Sequence, residues 1–295
     1  AIYFASGGKT FDMLELARAN LPVDIQKLAF LGMFLGFAVK VPMVPLHTWL
    51  PDAHVEAPTA VSVLLAGVLL KMGTYGFVRV GLGVVPLGMR AYIYAIAVLG
   101  VIGIIYGALN AMVQSDLKKM VAYSSVSHMG YVVLGIASGI AMTPAGIKGA
   151  SAGISGALLQ MFNHATITGM LFLLVGLIYE RTHTRQIPEM GGLFIPIPVI
   201  AGILAYASFA SLGLPSLSGF VGEFLILVGS SHVYMWLTIV AAFGIILTAG
   251  YMLWMVQRVC MGEPREYSHF RDATLRELAT LVPLVIIIVV IGVYP

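Results

Sequence analysis

The chain has 295 residues, of which 59% are hydrophobic and only 10% charged, a composition outside the range of water-soluble domains. Its net charge of +3 is small and scattered, which implies no nucleic-acid partner. The single cysteine, Cys260, excludes a disulfide framework, a four-thiolate iron–sulfur site and a cysteine-based zinc site within this chain.

A hydrocarbon core of about 30 Å takes about 20 mostly apolar residues in a helix, and eight windows of that kind follow one another along the sequence. Residues 1–27 precede them. There Lys9, Asp12, Glu15, Arg18, Asp24 and Lys27 are mixed with apolar residues, which predicts a connecting or interfacial segment ahead of a transmembrane domain over residues 28–295. No basic stretch leads into a short apolar core, so no cleavable signal peptide is expected. Window one, Leu28–Leu50, carries Lys40 about 18 Å along it, followed by Pro42 and Pro45. His47 and His54 lie just beyond these prolines and are expected as polar residues of an access region or loop. Window two, Ala60–Val78, carries Lys71 about 16 Å in. Window three, Ala91–Val113, has no charged residue or histidine, whereas window four, Met120–Ile140, holds Ser124, Ser125, Ser127 and His128. Window five, Gly149–Tyr179, places Gln160, Asn163 and His164 near its middle. Window six, Val199–Val228, is interrupted by Pro215 between Gly213 and Gly219, just before Glu223. Windows seven and eight, Val233–Val256 and Leu278–Tyr294, are free of charged residues and histidine. Windows so long and uniformly apolar lack the alternation a membrane barrel needs, so the expected fold class is all-α, a polytopic transmembrane helix bundle.

Alternate connections face opposite sides. Loops 1–2, 3–4, 5–6 and 7–8 carry Lys118, Lys119, Arg181, Arg185, Arg258, Arg265, Arg271 and Arg276, eight cations against six on the other side: Lys9, Arg18, Lys27, Arg79, Arg90 and Lys148. The positive-inside tendency assigns the first group to the cytoplasmic or matrix side.

Lys40, Lys71, His128, His164 and Glu223 are costly inside a bilayer, by at least about 2.5 kcal/mol for a charged group, unless each faces a partner or water. A lone membrane histidine is often a hydrogen-bonded structural residue, and a lysine near a helix end snorkels. Five such groups on five of eight windows instead read as a proton relay, because lysine, glutamate and histidine withdrawn from bulk water can exchange protons near neutral pH. A metal site would want histidine and carboxylate ligands without competing lysines, and a cation filter would want rings of carbonyls or acids, so neither is expected.

A proline inside a membrane helix frees backbone groups that protein or water must then satisfy. The two proline-broken windows stand five windows apart, an odd number, and therefore run in opposite directions. An inverted-topology repeat of five helices, each repeat with a discontinuous helix and its own ionisable residue, has that arrangement.

The stretch from Lys40 to His54, Lys-Val-Pro-Met-Val-Pro-Leu-His-Thr-Trp-Leu-Pro-Asp-Ala-His, resembles the signature of the antiporter-like membrane subunits of respiratory complex I, NADH:quinone oxidoreductase. Glu56-Ala57-Pro58-Thr59, Leu69-Leu70-Lys71, Tyr123–Gly130 and Gly219–Phe224 extend the likeness over nearly the whole chain from Ala29 onward. It is most similar to the M-type branch, chain 4 in mitochondria, because the L and N types and the related Na⁺/H⁺ antiporter subunits place lysine where Glu223 stands. The resemblance implies roles for five residues. Lys40 would be the lysine of the first broken helix, Lys71 a bridging lysine, His128 and His164 members of a central hydrophilic axis, and Glu223 the terminal residue of a half-channel. The family has fourteen helices, and its first half-channel pairs the lysine at position 40 with a glutamate two helices earlier, which this sequence lacks. The eight windows correspond to the last eight: two from the end of one repeat, a complete second repeat and one final helix. The expectation is an incomplete chain.

What the resemblance implies is proton translocation, with no cofactor in this chain and with NADH, flavin, iron–sulfur clusters and quinone in partner subunits. Those partners would include the L and N types, in a bacterial cytoplasmic or mitochondrial inner membrane. A cation/proton antiporter subunit, or a subunit of a related ferredoxin- or hydrogenase-linked complex, is the alternative.

Overall fold

The structure is a computed structural model and describes residues 2–8, 10–141, 150–264 and 270–295. Lys9, Lys148 and Arg265, three of the cations used to orient the chain, and Gly149 at the start of window five lie outside them. Among the described residues the chain is helical, and its one β-type pairing is an isolated bridge between Asp116 and Gln186.

Two short helices, α1 (Ile2–Ala5) and α2 (Met13–Arg18), precede α3 (Val23–Lys40). The predicted boundary at residue 27 therefore falls inside α3, because the charges at Asp24 and Lys27 pair with each other at 3.4 Å on its first turn. Window one is a broken helix rather than a continuous one. α3 ends at Lys40, residues 41–48 turn, and α4 (Trp49–Glu56) resumes. Pro42 and Pro45 lie in that turn, and the indole N–H of Trp49 donates to the Val39 carbonyl at 3.1 Å, satisfying an acceptor that the break releases. Window two runs from Thr59 to Leu82 as α5 (Thr59–Leu64), a π-helical segment Leu65–Leu69, α6 (Leu70–Gly76) and a second π-helical segment Phe77–Leu82.

α7 (Pro86–Met112), α8 (Leu117–Ala141) and α9 (Ala150–Thr182) cross without interruption. Window six is the second broken helix: α10 (Pro198–Ser211), a turn over residues 212–217 containing Pro215, and α11 (Ser218–Ser231). Gly213 has φ +80° in that turn, a conformation open to glycine without steric cost. α12 (Met235–Cys260) and α13 (Leu275–Val293) complete the bundle. Six helices among the described residues are long and apolar enough to cross a membrane, and the two halves of the second broken helix, Pro198–Ser211 and Ser218–Ser231, are shorter apolar helices.

α8 lies at the centre, with 94% of its apolar window buried, while α13 lies at the periphery with 11% buried. Close approach between α7 and α8 depends on small residues: the backbone of Gly130 lies against Gly100 and Ile104. The connections sort as the alternation predicts. Lys118 Nζ donates to the Ala57 carbonyl at 2.6 Å and Arg185 Nη1 to the Val55 carbonyl at 2.9 Å. Arg181 Nε donates to the Arg271 carbonyl at 2.7 Å, so loops 1–2, 3–4, 5–6 and 7–8 share one face.

Candidate functional site

The polar side chains of α6, α8, α9 and α11 converge in the middle of the bundle. Lys71, on α6, is 9% exposed, and the π-helical segment before it leaves the Ala66 carbonyl within reach of its Nζ, which donates to that oxygen. A π segment inside a membrane helix redirects backbone acceptors without a proline. The same Nζ lies 2.6 Å from Nδ1 of His164 on α9, a residue 93 positions away and 2% exposed.

His128 on α8 is joined to both halves of the second broken helix. Its Nδ1 is 2.8 Å from Glu223 Oε1 on α11, and its Nε2 is 3.1 Å from the hydroxyl of Ser211, the last residue of α10. Gln160 Nε2 donates to the same Glu223 oxygen at 3.1 Å. Asn163 Nδ2 donates to the Ser218 carbonyl at 2.6 Å, fixing the first turn of α11 against α9. Gly222 allows this approach, since a Cβ there would overlap the amides of Gln160 and Asn163.

The two histidine rings stand edge to face with centroids 5.8 Å apart. Between α8, α9 and the second break lies a cavity of about 10 Å³, lined by His128, Gln160, His164, Thr168 and Ser211 among others, close to the space one water needs. Among the described residues, His164 Nε2, Gln160 Oε1 and Asn163 Oδ1 are buried and find no hydrogen-bond partner. Buried polar atoms left unpaired beside a water-sized polar cavity fit an interior through which water enters. Lys71, His164, His128 and Glu223 thus form a line with one gap, and that gap is water-sized.

The remaining predicted residues fall elsewhere. Lys40, at the end of α3, is half-buried and takes no part in this line; the approach of α3 to α6 is made possible by Gly73, where a Cβ would strike Val41. A depth of 18 Å in a continuous helix does not describe it, because the helix stops there. His47 lies in the turn of the first break and His54 inside α4, and both are buried. His47 is 3% exposed and packs edge-on against Tyr106 with ring centroids at 5.0 Å, and His54, inside α4, is 0% exposed and stacks on Phe172 at 4.3 Å. The three prolines sit in the two breaks. Sequence reading missed Ser211, an ordinary small polar residue at the end of an apolar helix, and the Ala66 carbonyl, since nothing in a run of Leu, Ala, Gly and Val announces a π turn.

Comparison with known proteins agrees with this geometry. The family described as NADH:quinone oxidoreductase/Mrp antiporter, transmembrane, matches residues 1–248. NADH-quinone oxidoreductase subunit M of Rickettsia bellii (strain RML369-C) is 44% identical over an alignment covering 100% of this chain and 58% of the relative. A chain in the structure of respiratory complex I from Thermus thermophilus with bound NADH superposes with a TM-score of 0.91 and 34% identity, over 100% of this chain and 60% of its own. A chain of the membrane-bound sulfane sulfur reductase, an archaeal respiratory membrane complex, gives a TM-score of 0.88 and 28% identity over 100% of this chain and 49% of its own. The chain spans less than two thirds of the length of each.

Proposed function

The chain belongs to the NADH:quinone oxidoreductase/Mrp antiporter family of integral membrane proteins, and from that premise we propose that it moves protons as an M-type membrane subunit of an NADH:quinone oxidoreductase. The observation that carries this reading is the line from Lys71 through His164 and His128 to Glu223, four titratable groups from four helices joined across one water-sized gap. At one end, a proton on Lys71 Nζ passes to His164 Nδ1. Release from His164 Nε2 into the cavity and uptake on the far side would bring it to His128, whose ring joins Ser211 and Glu223. Each transfer changes the charge beside the next group and so biases its proton affinity, which is how a shift imposed at one end propagates to the other.

Lys40 belongs to a second access region at the first break, where His47 and His54 lie buried among aromatic rings. In this reading the chain holds no redox group. NADH, flavin, iron–sulfur clusters and quinone belong to partner subunits, among them L- and N-type antiporter-like chains, in a bacterial cytoplasmic or mitochondrial inner membrane. The inverted repeat is part of the same proposal, with the two breaks as its related elements.

The test is made in the assembled complex in proteoliposomes. Lys71→Ala and Glu223→Ala should each depress proton pumping and coupled quinone reduction while the complex still assembles. Full coupled activity in both variants refutes the relay. The family description also covers antiporters, which supports a second reading as a cation/proton antiporter subunit. Sodium flux through complexes lacking any NADH-oxidising module would favour that reading.

A further inference from the structure

α13 is the most peripheral of the candidate spans among the described residues, yet it and the residues just ahead of it are fastened at four places, once to α9 and three times to the elements that carry the second break. Thr274 and Glu277 form a capping box at its start, and the Glu277 carboxylate accepts from Arg181 Nη2 on α9 at 3.0 and 2.9 Å. Asp272, just ahead, accepts from the backbone N–H groups of Val199 and Ile200 at the start of α10, at 2.8 and 3.2 Å. Midway along, the Tyr206 hydroxyl of α10 donates to the Val285 carbonyl at 3.1 Å. At the far end, Gly292 lies so close to the second break that a Cβ would overlap the Ser216 carbonyl and the Leu217 backbone.

The break lies between the site and its α13 contacts. Gly213 is in ordinary van der Waals reach of Glu223 Oε2, and the first turn of α11 is fixed by Asn163 at Ser218. The backbone of the break, with φ +75° at Ser216, rests against Gly292 of α13. Close approach at a small residue is how membrane helices pack, and here the surface approached is the turn of a broken helix rather than a regular helix. We propose that α13 is a strap across the second broken helix and that Gly292 is a positioning residue, holding the turn at Ser216–Leu217 so that the Glu223 carboxylate meets His128.

The proposal rests on the His128–Glu223 pair being the functional site, but its readout is the pair itself rather than pumping, so the two readings fail separately. In the assembled complex, the carboxyl infrared band assigned to Glu223 by its loss in Glu223→Gln is recorded in Gly292→Ala. A displaced band with assembly retained is the expected result. Leu281→Ala, which loosens a fully buried residue of α13 about three turns from Gly292, should lower thermal stability and leave the band in place. Should Gly292→Ala not accumulate, Glu277→Gln releases the other end of the strap and must displace the same band. An unmoved band in assembled Gly292→Ala, or in Glu277→Gln, overturns the proposal.

Discussion

At the scale of single residues, the pair His128–Glu223 joins α8 to α11 in the interior of the bundle. Both are 3% exposed, and the 2.8 Å contact between them is supported by Ser211 on one side and Gln160 on the other. Removing one member leaves the other's hydrogen-bonding groups without their partner, so the effects of His128→Ala and Glu223→Ala should not add. A double-mutant cycle on thermal or denaturant stability of the complex is expected to give a coupling of about 0.6–1.7 kcal/mol, the range for interhelical hydrogen bonds in membranes. Strict additivity would place the two residues in independent environments. Ser211→Ala is expected to cost about 1 kcal/mol and slow pumping without abolishing it, because Ser211 holds one ring nitrogen while Glu223 retains the other. His128, His164 and Glu223 were legible as buried, partnered groups because hydrocarbon makes a titratable group too costly to stand in an apolar window without a partner or water. Ser211 was not legible, since serine is common at helix ends in membranes and gains meaning only from the ring it faces.

At the scale of elements, the line of polar side chains is built on departures from regular helix. Proline announced both breaks, at Pro42 with Pro45 and at Pro215, and they formed where the sequence put them. Gly213→Val forces a β-branched residue into φ +80° and should cost about 1–3 kcal/mol, read as a lowered melting temperature of the complex. Trp49→Phe removes the N–H that caps the Val39 carbonyl, and a loss of about 1 kcal/mol is expected by the same measurement. An unchanged melting temperature there would show the carbonyl satisfied by water. The π-helical segment Leu65–Leu69 is a third departure, and it had no sequence signal, because its residues are ordinary helix formers. What makes it visible is the position of Lys71 Nζ over the Ala66 carbonyl, a contact between a side chain and the backbone five residues earlier.

At the scale of the whole molecule, the alternation of loops gives an orientation that labelling can test. Cys260 is fully buried and contributes little background, so single cysteines can be placed on either face. Ser115→Cys, in the loop between α7 and α8, should react with an impermeant thiol reagent from the cytoplasmic or matrix side, and His232→Cys, between α11 and α12, from the opposite side. Labelling of both from one side would contradict the alternation. The sequence by itself determined the class of the protein, the two breaks and four of the groups now found in line, because hydrocarbon penalises charge and unpaired backbone so heavily that every exception stands out. Tertiary structure alone decided which exceptions meet. Lys40 and Lys71 look alike in sequence, yet only Lys71 reaches His164, and His47 and His54, polar residues near a break, are enclosed by aromatic rings. Partnership between residues 93 or 95 positions apart depends on how α6, α8, α9 and α11 are rotated and pressed together at their small residues, and that rotation is a property of the packed bundle rather than of any one helix.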